Sequence, residues 1–260
     1  VVYDVDDWIF SFPGYSGGCS SNSENMQLLI EEVDHVTVAN SLIKKELLKY
    51  RDDVTLIPNG MYIEKYVQES SFIDAGESDP PRVIFTNADM LKVTKSKGDI
   101  INVLQEFFLH HPDYVMDFFG DPFPEMHSMS FMHYTNRMNY QDYMIALING
   151  KYHFSITPLG GAEDEESLLF NRCKNPFKYL NYGMARVPGI YSDTPIYQEC
   201  IDDAETGVLV ENTKESWLGA MELMASDAEL RQRIRRNAFY DVVENHHIKF
   251  SAEKLTSLLM

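Results

Sequence analysis

The chain has 260 residues, 44% of them apolar, which indicates a globular protein with one or two buried cores. Its net charge of -18 at pH 7 excludes a general nucleic-acid-binding or anionic-membrane-binding surface, because both require clustered cations. The sequence contains no apolar run of transmembrane length, and its three cysteines include no CxxC pair, so we expect a reduced cytoplasmic protein without a thiol-metal site. Any anionic ligand must therefore be held by a local site.

The first part of the chain, residues 1–69, alternates between strands and helices. After a strand that begins at Val1 and a Gly/Ser-rich loop over 11–23, we predict a helix at 24–32, a strand at 35–39, a helix at 41–50 and a strand at 54–57. This alternation is typical of a parallel sheet and amounts to about half of a doubly wound domain. Because the sequence starts within a strand and without an initiator Met, we expect it to be part of a longer chain.

A second alternating region follows a polar segment, residues 70–81, which ends in Pro-Pro and is predicted to be a linker. The region covers 82–245 and is predicted to be a complete domain. Its strands are expected at 82–86, 114–119, 129–133, 152–159, 187–192 and 207–210. Its helices are expected at 99–110 and 140–149, with a further helix that begins at residue 176. A bend near His246-His247 precedes a last helix over 246–260, which we expect to pack back toward the first domain.

The segment between two of these strands contains a helix start with an unusual charge arrangement. Asn175 is expected to be the N-cap, with Pro176 at the first helical position. Lys178 then falls in the first turn, while Lys174 and Arg172 come just before the cap. A helix N-terminus is electropositive, so cations there are unfavourable unless an anion lies among them.

Two explanations account for these cations. An external anion such as a phosphate would be bound by the helix N-terminus and the basic side chains together. Alternatively, the acidic run 163–166, in a predicted loop over 160–167, would neutralise them. The segment by itself leaves both explanations open.

Four segments carry a resemblance to a known family. They are VDHVTVANSLIKKELLKYRDDVTLIPNG, KGDIINVLQEF, FNRCKNPFKYLNYGMARVPGIYSD and TGVLVENTKESWLGAMELMASDAELRQRIRRNA. Together they resemble the carboxyl-terminal half of GT-B nucleotide-sugar glycosyltransferases, specifically the large retaining family four, and the resemblance covers nearly the whole chain. It implies an α/β fold of Rossmann-like doubly wound parallel sheets, with a partial first domain and a complete donor-binding second domain.

The resemblance also implies roles for individual residues. Lys97 and Lys178 would be catalytic, holding the donor diphosphate, although the neighbouring lysines of Lys97 also suit a solvated basic loop. Other donor contacts are implied for Gly98, Arg172, Lys174, Asn175, Asn181, Tyr182 and Glu199. Of these, Asn181 would touch the ribose, and Glu199 would lie near the sugar-binding loop, where a purely structural role fits equally well.

Three departures from the family pattern bear on activity more than on fold. Asn181 replaces a Glu that usually binds the ribose, and an amide lacks the charge-assisted strength of a carboxylate. Cys173 stands where the first Glu of an E-x7-E pattern is usual. The Gly-Arg pair that usually follows the first strand of the second domain is replaced by Asn87-Ala88-Asp89. Most of the amino-terminal domain is also missing from this sequence.

Other charged clusters have simpler explanations. Asp4, Asp6 and Asp7 could bind a divalent cation, and Asp4-Val5-Asp6 imitates the start of a DxD-type phosphatase motif, but Trp8 does not fit that motif. We expect them to be strand-end carboxylates. The adjacent pairs His110-His111 and His246-His247 cannot share a helix face, so no metal site is expected.

The sequence therefore predicts a retaining glycosyltransferase that moves a sugar from a nucleotide diphosphate sugar, a UDP- or GDP-sugar, to an acceptor. The acceptor would be a saccharide or a lipid-linked one, as in surface polysaccharide biosynthesis. No cofactor, metal or nucleic acid is expected. The protein would be cytoplasmic, at the inner face of the membrane if its missing amino-terminal part associates peripherally. The alternatives are a catalytically impaired nucleotide-binding or structural module and, with less support, a DxD-type phosphatase.

Overall fold

The computed structural model describes residues 1–10, 23–67, 77–87, 100–160 and 165–260. Within this part of the chain the strands form two sheets, and every strand pairs in parallel with its neighbours. The predicted α/β class with Rossmann-like parallel sheets is thereby confirmed. Lys97, Gly98 and most of the predicted linker lie outside the described residues.

The first sheet has three strands in sequence order. Its elements are β1 (Val2–Val5), α1 (Ser23–Glu32), β2 (His35–Val38), α2 (Ser41–Leu47), β3 (Val54–Leu56) and α3 (Ile63–Val67). Val36 and Val38 of β2 pack against Ile43 and Leu47 of α2, all four being fully buried. Asn40 caps α2, since its Oδ1 accepts hydrogen bonds from the backbone N–H groups of the helix's first turn.

The second sheet has six strands in the order β6-β5-β4-β7-β8-β9. These strands are β4 (Arg82–Asn87), β5 (Val115–Gly120), β6 (Met132–Thr135), β7 (Phe154–Thr157), β8 (Gly189–Ser192) and β9 (Val208–Val210). The connecting helices are α4 (Ile100–His110), α5 (Tyr140–Asn149), α6 (Glu165–Arg172), α7 (Phe177–Met184), α8 (Pro195–Gln198), α9 (Lys214–Ser226), α10 (Ala228–Asn245) and α11 (Ile248–Leu259), and a 3-10 helix spans Pro124–Ser128.

Helices cover both faces of this sheet, which is why its central strands are apolar almost throughout. Successive β4 side chains alternate between the two layers: Val83 and Phe85 pack with α4 and α9, whereas Ile84 packs with α5 and α7. The largest buried side chains include Trp217 in the first layer and Tyr179 in the second. The six-stranded sheet is thus doubly wound.

The carboxyl-terminal helices return toward the first sheet. The predicted bend is confirmed, because α10 ends at Asn245 and α11 begins at Ile248. The Ser251 hydroxyl donates to the carbonyl of Pro58, and Met61 pairs with His247 through an isolated parallel bridge. The chain that follows β3 is therefore held against the junction of α10 and α11.

One predicted loop was wrong. Residues 160–167 were expected to be irregular, but α6 begins at Glu165 within that range. Phe170 and Cys173, three residues apart, are buried in the core of the first sheet, so a tertiary contact favours helix in a segment of weak local signal.

None of the described helices is long and apolar enough to cross a membrane, and the described His, Cys, Asp and Glu residues form no group of three that could hold a metal.

Candidate functional site

The strand order of the second sheet identifies one edge as the candidate site. From β4 the chain builds outward through β5 and β6, then returns to the other side of β4 with β7, β8 and β9. In sheets of this kind, ligands bind beyond the carboxyl ends of the strands at the point where the order reverses. That point lies here between the ends of β4 and β7, whose residues Phe85 and Ile156 are paired.

The first turn of α7 lies over this point. The ammonium group of Lys178 donates to both the backbone carbonyl and the side-chain hydroxyl of Thr86, near the end of β4. The same hydroxyl contacts the phenol groups of Tyr182, at 2.8 Å, and Tyr143, at 3.3 Å. Lys178 is only half buried, so a positive charge is fixed at the reversal point while part of its surface stays open.

A second polar group lies at the same edge. Thr157 ends β7, is 5% exposed, and its hydroxyl has no hydrogen-bond partner among the described residues. A buried hydroxyl without a partner is costly unless a ligand or water satisfies it. Together with the electropositive first turn of α7, these groups form an edge suited to a polar, anionic ligand.

The predicted start of this helix was wrong by one residue. Pro176, rather than Asn175, occupies the N-cap, with φ -79° and ψ 30° and no side-chain hydrogen bond to the first turn. The Asn175 amide instead donates to the backbone carbonyl of Asp6 and, at 2.8 Å, to its Oδ1. A contact with the first sheet has therefore taken the side chain that was expected to cap α7.

Lys174 and Arg172 are not brought to the reversal point in this structure. The Lys174 ammonium forms an ion pair with Asp7 at 2.9 Å and lies 3.9 Å from the centre of the Phe170 ring. Lys174 is thus neutralised by a strand-end carboxylate of the first sheet, while residues 163 and 164 of the acidic run lie outside the described part of the chain. Arg172 is exposed at the end of α6.

The carboxylates at the end of β1 and just after it therefore have structural partners. Asp4 accepts a hydrogen bond from Thr37 of the adjacent strand, and Asp6 accepts from both Asn59 and Asn175. These contacts support the expectation of strand-end carboxylates over a phosphatase site. With Asp7, they join the carboxyl edge of the first sheet to the segment that leads into α7.

Two further contacts tie the sheets together. The buried Asn40 amide donates to the backbone carbonyls of Cys173 at 3.1 Å and Lys174 at 3.3 Å. Ser41 donates to the carboxylate of Glu199, which follows α8. Glu199 thus bridges the two sheets in this structure, whereas the sequence had left open a role near a sugar-binding loop.

The other two predicted donor contacts, Asn181 and Tyr182, lie deeper in α7. Tyr182 has no exposed surface and hydrogen-bonds Thr86, so its side chain serves packing rather than ligand contact. Asn181 is 5% exposed, and its Oδ1 accepts a hydrogen bond from Tyr140 at 2.7 Å. Burial raises the pKa of Tyr143, which lies at about 12 because hydrogen bonds with Thr86 and Asn181 offset part of that rise. The Asn181 amide is therefore engaged by tyrosines of α5.

A cavity of about 580 Å³ lies on the Asn181 side of α7. Aromatic rings dominate its wall: Tyr62 and Tyr66 from the chain after β3, Tyr140 from α5 and Phe177 from α7, with Asn181 and Lys65 among its polar groups. The cavity could not be predicted from the sequence, because its lining residues lie up to 188 positions apart, from Gly60 to Ile248. The tyrosines that follow the Pro58-Asn59-Gly60 turn were the only local signal.

No protein-family model and no curated protein matches the sequence. Solved structures do match the fold. A glycosyltransferase from Rickettsia africae aligns with a TM-score of 0.64 and 14% identity, covering 99% of this chain and 69% of that one. Anabaena Alr3699/HepE, solved with UDP and glucose, aligns with a TM-score of 0.67 and 11% identity, covering 99% and 70%.

A third match is a TarM variant from S. aureus, solved with fondaparinux, alpha-GlcNAc-glycerol and UDP. It has a TM-score of 0.66 and 12% identity, covering 99% of this chain but only 50% of that one. The chain therefore spans between half and about two thirds of these enzymes. At such identities the likeness concerns the fold, and over its described length the chain has the parallel-sheet fold of GT-B glycosyltransferases.

Proposed function

We propose that this chain is the donor-binding part of a glycosyltransferase that moves a sugar from a nucleoside diphosphate sugar to an acceptor. One observation carries the proposal: Lys178 and the first turn of α7 lie over the end of β4, at the reversal point of the doubly wound sheet. The proposal is further supported by matched folds solved with UDP.

The chemical task at this edge is to stabilise a departing nucleoside diphosphate. As the bond to the sugar breaks, negative charge accumulates on the leaving phosphate, and fixed positive groups lower the barrier. The helix dipole and the Lys178 ammonium supply such groups without a metal. Lys97 and Gly98 remain predicted phosphate contacts from the sequence resemblance.

The finer parts of the proposal follow that resemblance. In a retaining enzyme of this kind, the departing phosphate guides attack of the acceptor hydroxyl on the same face of the sugar, so no protein nucleophile is required. The acceptor would be a saccharide or a lipid-linked saccharide, with a cytoplasmic location and a role in surface polysaccharide synthesis.

A specific observation favours a second candidate, a nucleotide-binding module without catalysis. Cys173 is fully buried against the first sheet, and Lys174 and Asn175 are bound by Asp7 and Asp6. Lys174 and Asn175 were expected to contact the donor, and Cys173 stands where the family usually has a Glu. If they stay in these contacts when ligand is present, they cannot contribute to sugar transfer.

Calorimetry of the chain with UDP, GDP and inorganic pyrophosphate tests the binding step. Lys178→Ala should weaken nucleoside diphosphate binding by at least ~1 kcal/mol, because a charge-assisted contact is worth about 1.5–3 kcal/mol. Lys178→Met keeps most of the side-chain packing and should show the same loss. Lys49→Ala, which removes an exposed lysine that follows α2 and pairs with Glu46, is the matched control and should bind normally.

Two results would decide between the candidates. Unchanged nucleotide affinity in both Lys178 variants would remove this residue from the phosphate site and with it the proposal. If nucleotides bind, release of UDP or GDP from sugar nucleotides by the chain joined to a full amino-terminal domain identifies an enzyme, and binding without turnover identifies the non-catalytic module.

A further inference from the structure

The hydroxyl of Thr86 is a point at which β4, α5 and α7 meet. Thr86 lies near the end of β4 and is 6% exposed. Its hydroxyl accepts a hydrogen bond from the Lys178 ammonium and lies 2.8 Å from the phenol oxygen of Tyr182, both on α7. The phenol oxygen of Tyr143, on α5, lies 3.3 Å away. Lys178 and Tyr182 are four residues apart, so one face of α7 presents both of them to Thr86.

A threonine hydroxyl can serve these three partners at the same time, because it has one proton and two lone pairs. The Lys178 ammonium can only donate, so it occupies one lone pair. The two phenols share the remaining lone pair and the proton. Since Tyr182 has no exposed surface and Tyr143 also bonds Asn181, the Thr86 oxygen is held by groups that are themselves fixed.

These contacts hold the Lys178 ammonium at the end of β4. Its charge lies at the tip of a flexible four-carbon side chain, and ordering such a side chain when a ligand binds lowers the affinity. Here the ammonium donates to both the backbone carbonyl and the hydroxyl of Thr86, so it is already ordered in the free protein. Any residue at position 86 would supply the carbonyl. The second contact requires a side chain with a hydroxyl.

We propose that Thr86 is a positioning residue, whose hydroxyl fixes the Lys178 ammonium where it meets the leaving diphosphate; the inference rests on the proposed function. A cation that is fixed before the ligand binds needs no reorganisation as negative charge develops. Thr86 acts through Lys178 and needs no contact of its own with the ligand. In the sequence, Thr86 is only the last residue of a predicted strand, because its partner Lys178 lies 92 positions away.

The test compares Thr86→Val, which keeps the branched shape but removes the hydroxyl, with Thr86→Ser, which keeps the hydroxyl. Calorimetry with inorganic pyrophosphate measures the phosphate site alone. Thr86→Val should bind pyrophosphate about fivefold more weakly, as expected for loss of one hydrogen bond, and Thr86→Ser should bind it as wild type does. Thr37→Val is the control: it removes a similarly buried strand hydroxyl of the first sheet, which bonds Asp4, and should bind normally.

A second comparison distinguishes positioning from a general structural role. In the Lys178→Met background, Thr86→Val should cause no further loss of pyrophosphate affinity, because the two residues act as one unit. If the unpaired Tyr182 phenol prevents Thr86→Val from folding, Thr86→Val combined with Tyr182→Phe removes both sides of that buried contact. This double variant is compared with Tyr182→Phe alone, and the loss of about fivefold should persist.

Wild-type pyrophosphate affinity in Thr86→Val, with affinity lost in Lys178→Met, would overturn the positioning role while the proposed function stands. The same conclusion holds if Thr86→Val weakens binding by an equal factor in the Lys178→Met background, or if Thr86→Ser does not restore it. Unchanged affinity in the Lys178 variants would overturn the proposed function and the positioning role together. A wild-type chain that binds neither nucleotide nor pyrophosphate would likewise overturn both.

Discussion

Glu77 anchors the end of the predicted linker, and replacing it by Gln should strongly destabilise the chain. Its carboxylate binds Arg231 of α10 through both oxygens, at 2.6 and 2.7 Å. Arg235 lies 3.4 Å away and His153 lies 3.2 Å away. Glu77→Gln keeps the shape of the side chain but removes the negative charge that this cluster surrounds.

The size of the effect follows from burial. Arg231 and Arg235 are only 5% and 6% exposed, so their charges would be left without a carboxylate away from water. Removing one partner of a buried ion pair costs about 3–5 kcal/mol. We expect about 3 kcal/mol, because the Glu77 side chain keeps 20% exposure and both arginines also donate to backbone carbonyls.

Urea unfolding of the two proteins would measure this difference. Glu205→Gln is the matched control: its carboxylate pairs with Arg233 of the same helix at 3.4 Å, but both side chains are about half exposed, so the change should stay within about 0.5 kcal/mol. If Glu77→Gln lowers the free energy of unfolding by less than about 1 kcal/mol, with an unchanged m value, the cluster does not need the negative charge of Glu77.

The pH dependence provides a second check. Burial by itself would raise the pKa of Glu77, but the hydrogen bonds from Arg231 and the neighbouring positive charges outweigh burial and hold the pKa below its usual value. The stabilisation is therefore present above the pKa of the unfolded chain and is lost as the pH falls through the lower, folded pKa. The difference between wild type and Glu77→Gln should shrink as the pH is taken below about 4.

Two further stability predictions concern helix contacts. Asn40→Ala should lower the free energy of unfolding in urea by about 2 kcal/mol, because it removes the cap of α2 and both amide contacts to the segment before α7. A decrease of less than about 0.5 kcal/mol would contradict this prediction. Gly183→Ala should lower the free energy of unfolding by about 1–3 kcal/mol despite the better helix propensity of Ala, because the new Cβ would lie 2.8 Å from Val242 of α10. A rise in melting temperature would contradict this and show that α7 and α10 can move apart.

Much of the fold follows from short-range patterns in the sequence. Apolar runs separated by helical periods predicted the strands of both sheets and the parallel α/β class, because these signals depend on residues close in the chain. The exception in position is β6, which begins at Met132, three residues later than expected. The bend before α11 was likewise visible locally. Helix α6 was not, since its start depends on burying Phe170 and Cys173 against another sheet.

The candidate site, like the fold, could be predicted from the sequence only in part. The sequence by itself determined that a helix with Lys178 in its first turn follows β7, and hence that a cation lies near the carboxyl edge of a parallel sheet. Only the tertiary structure decided that Lys174 pairs with Asp7, 167 residues away, and that Asn175 turns to Asp6. It also decided that aromatic side chains from three segments line one cavity. Such partners depend on how the two sheets face each other, and no pattern within a few residues of chain contains that information.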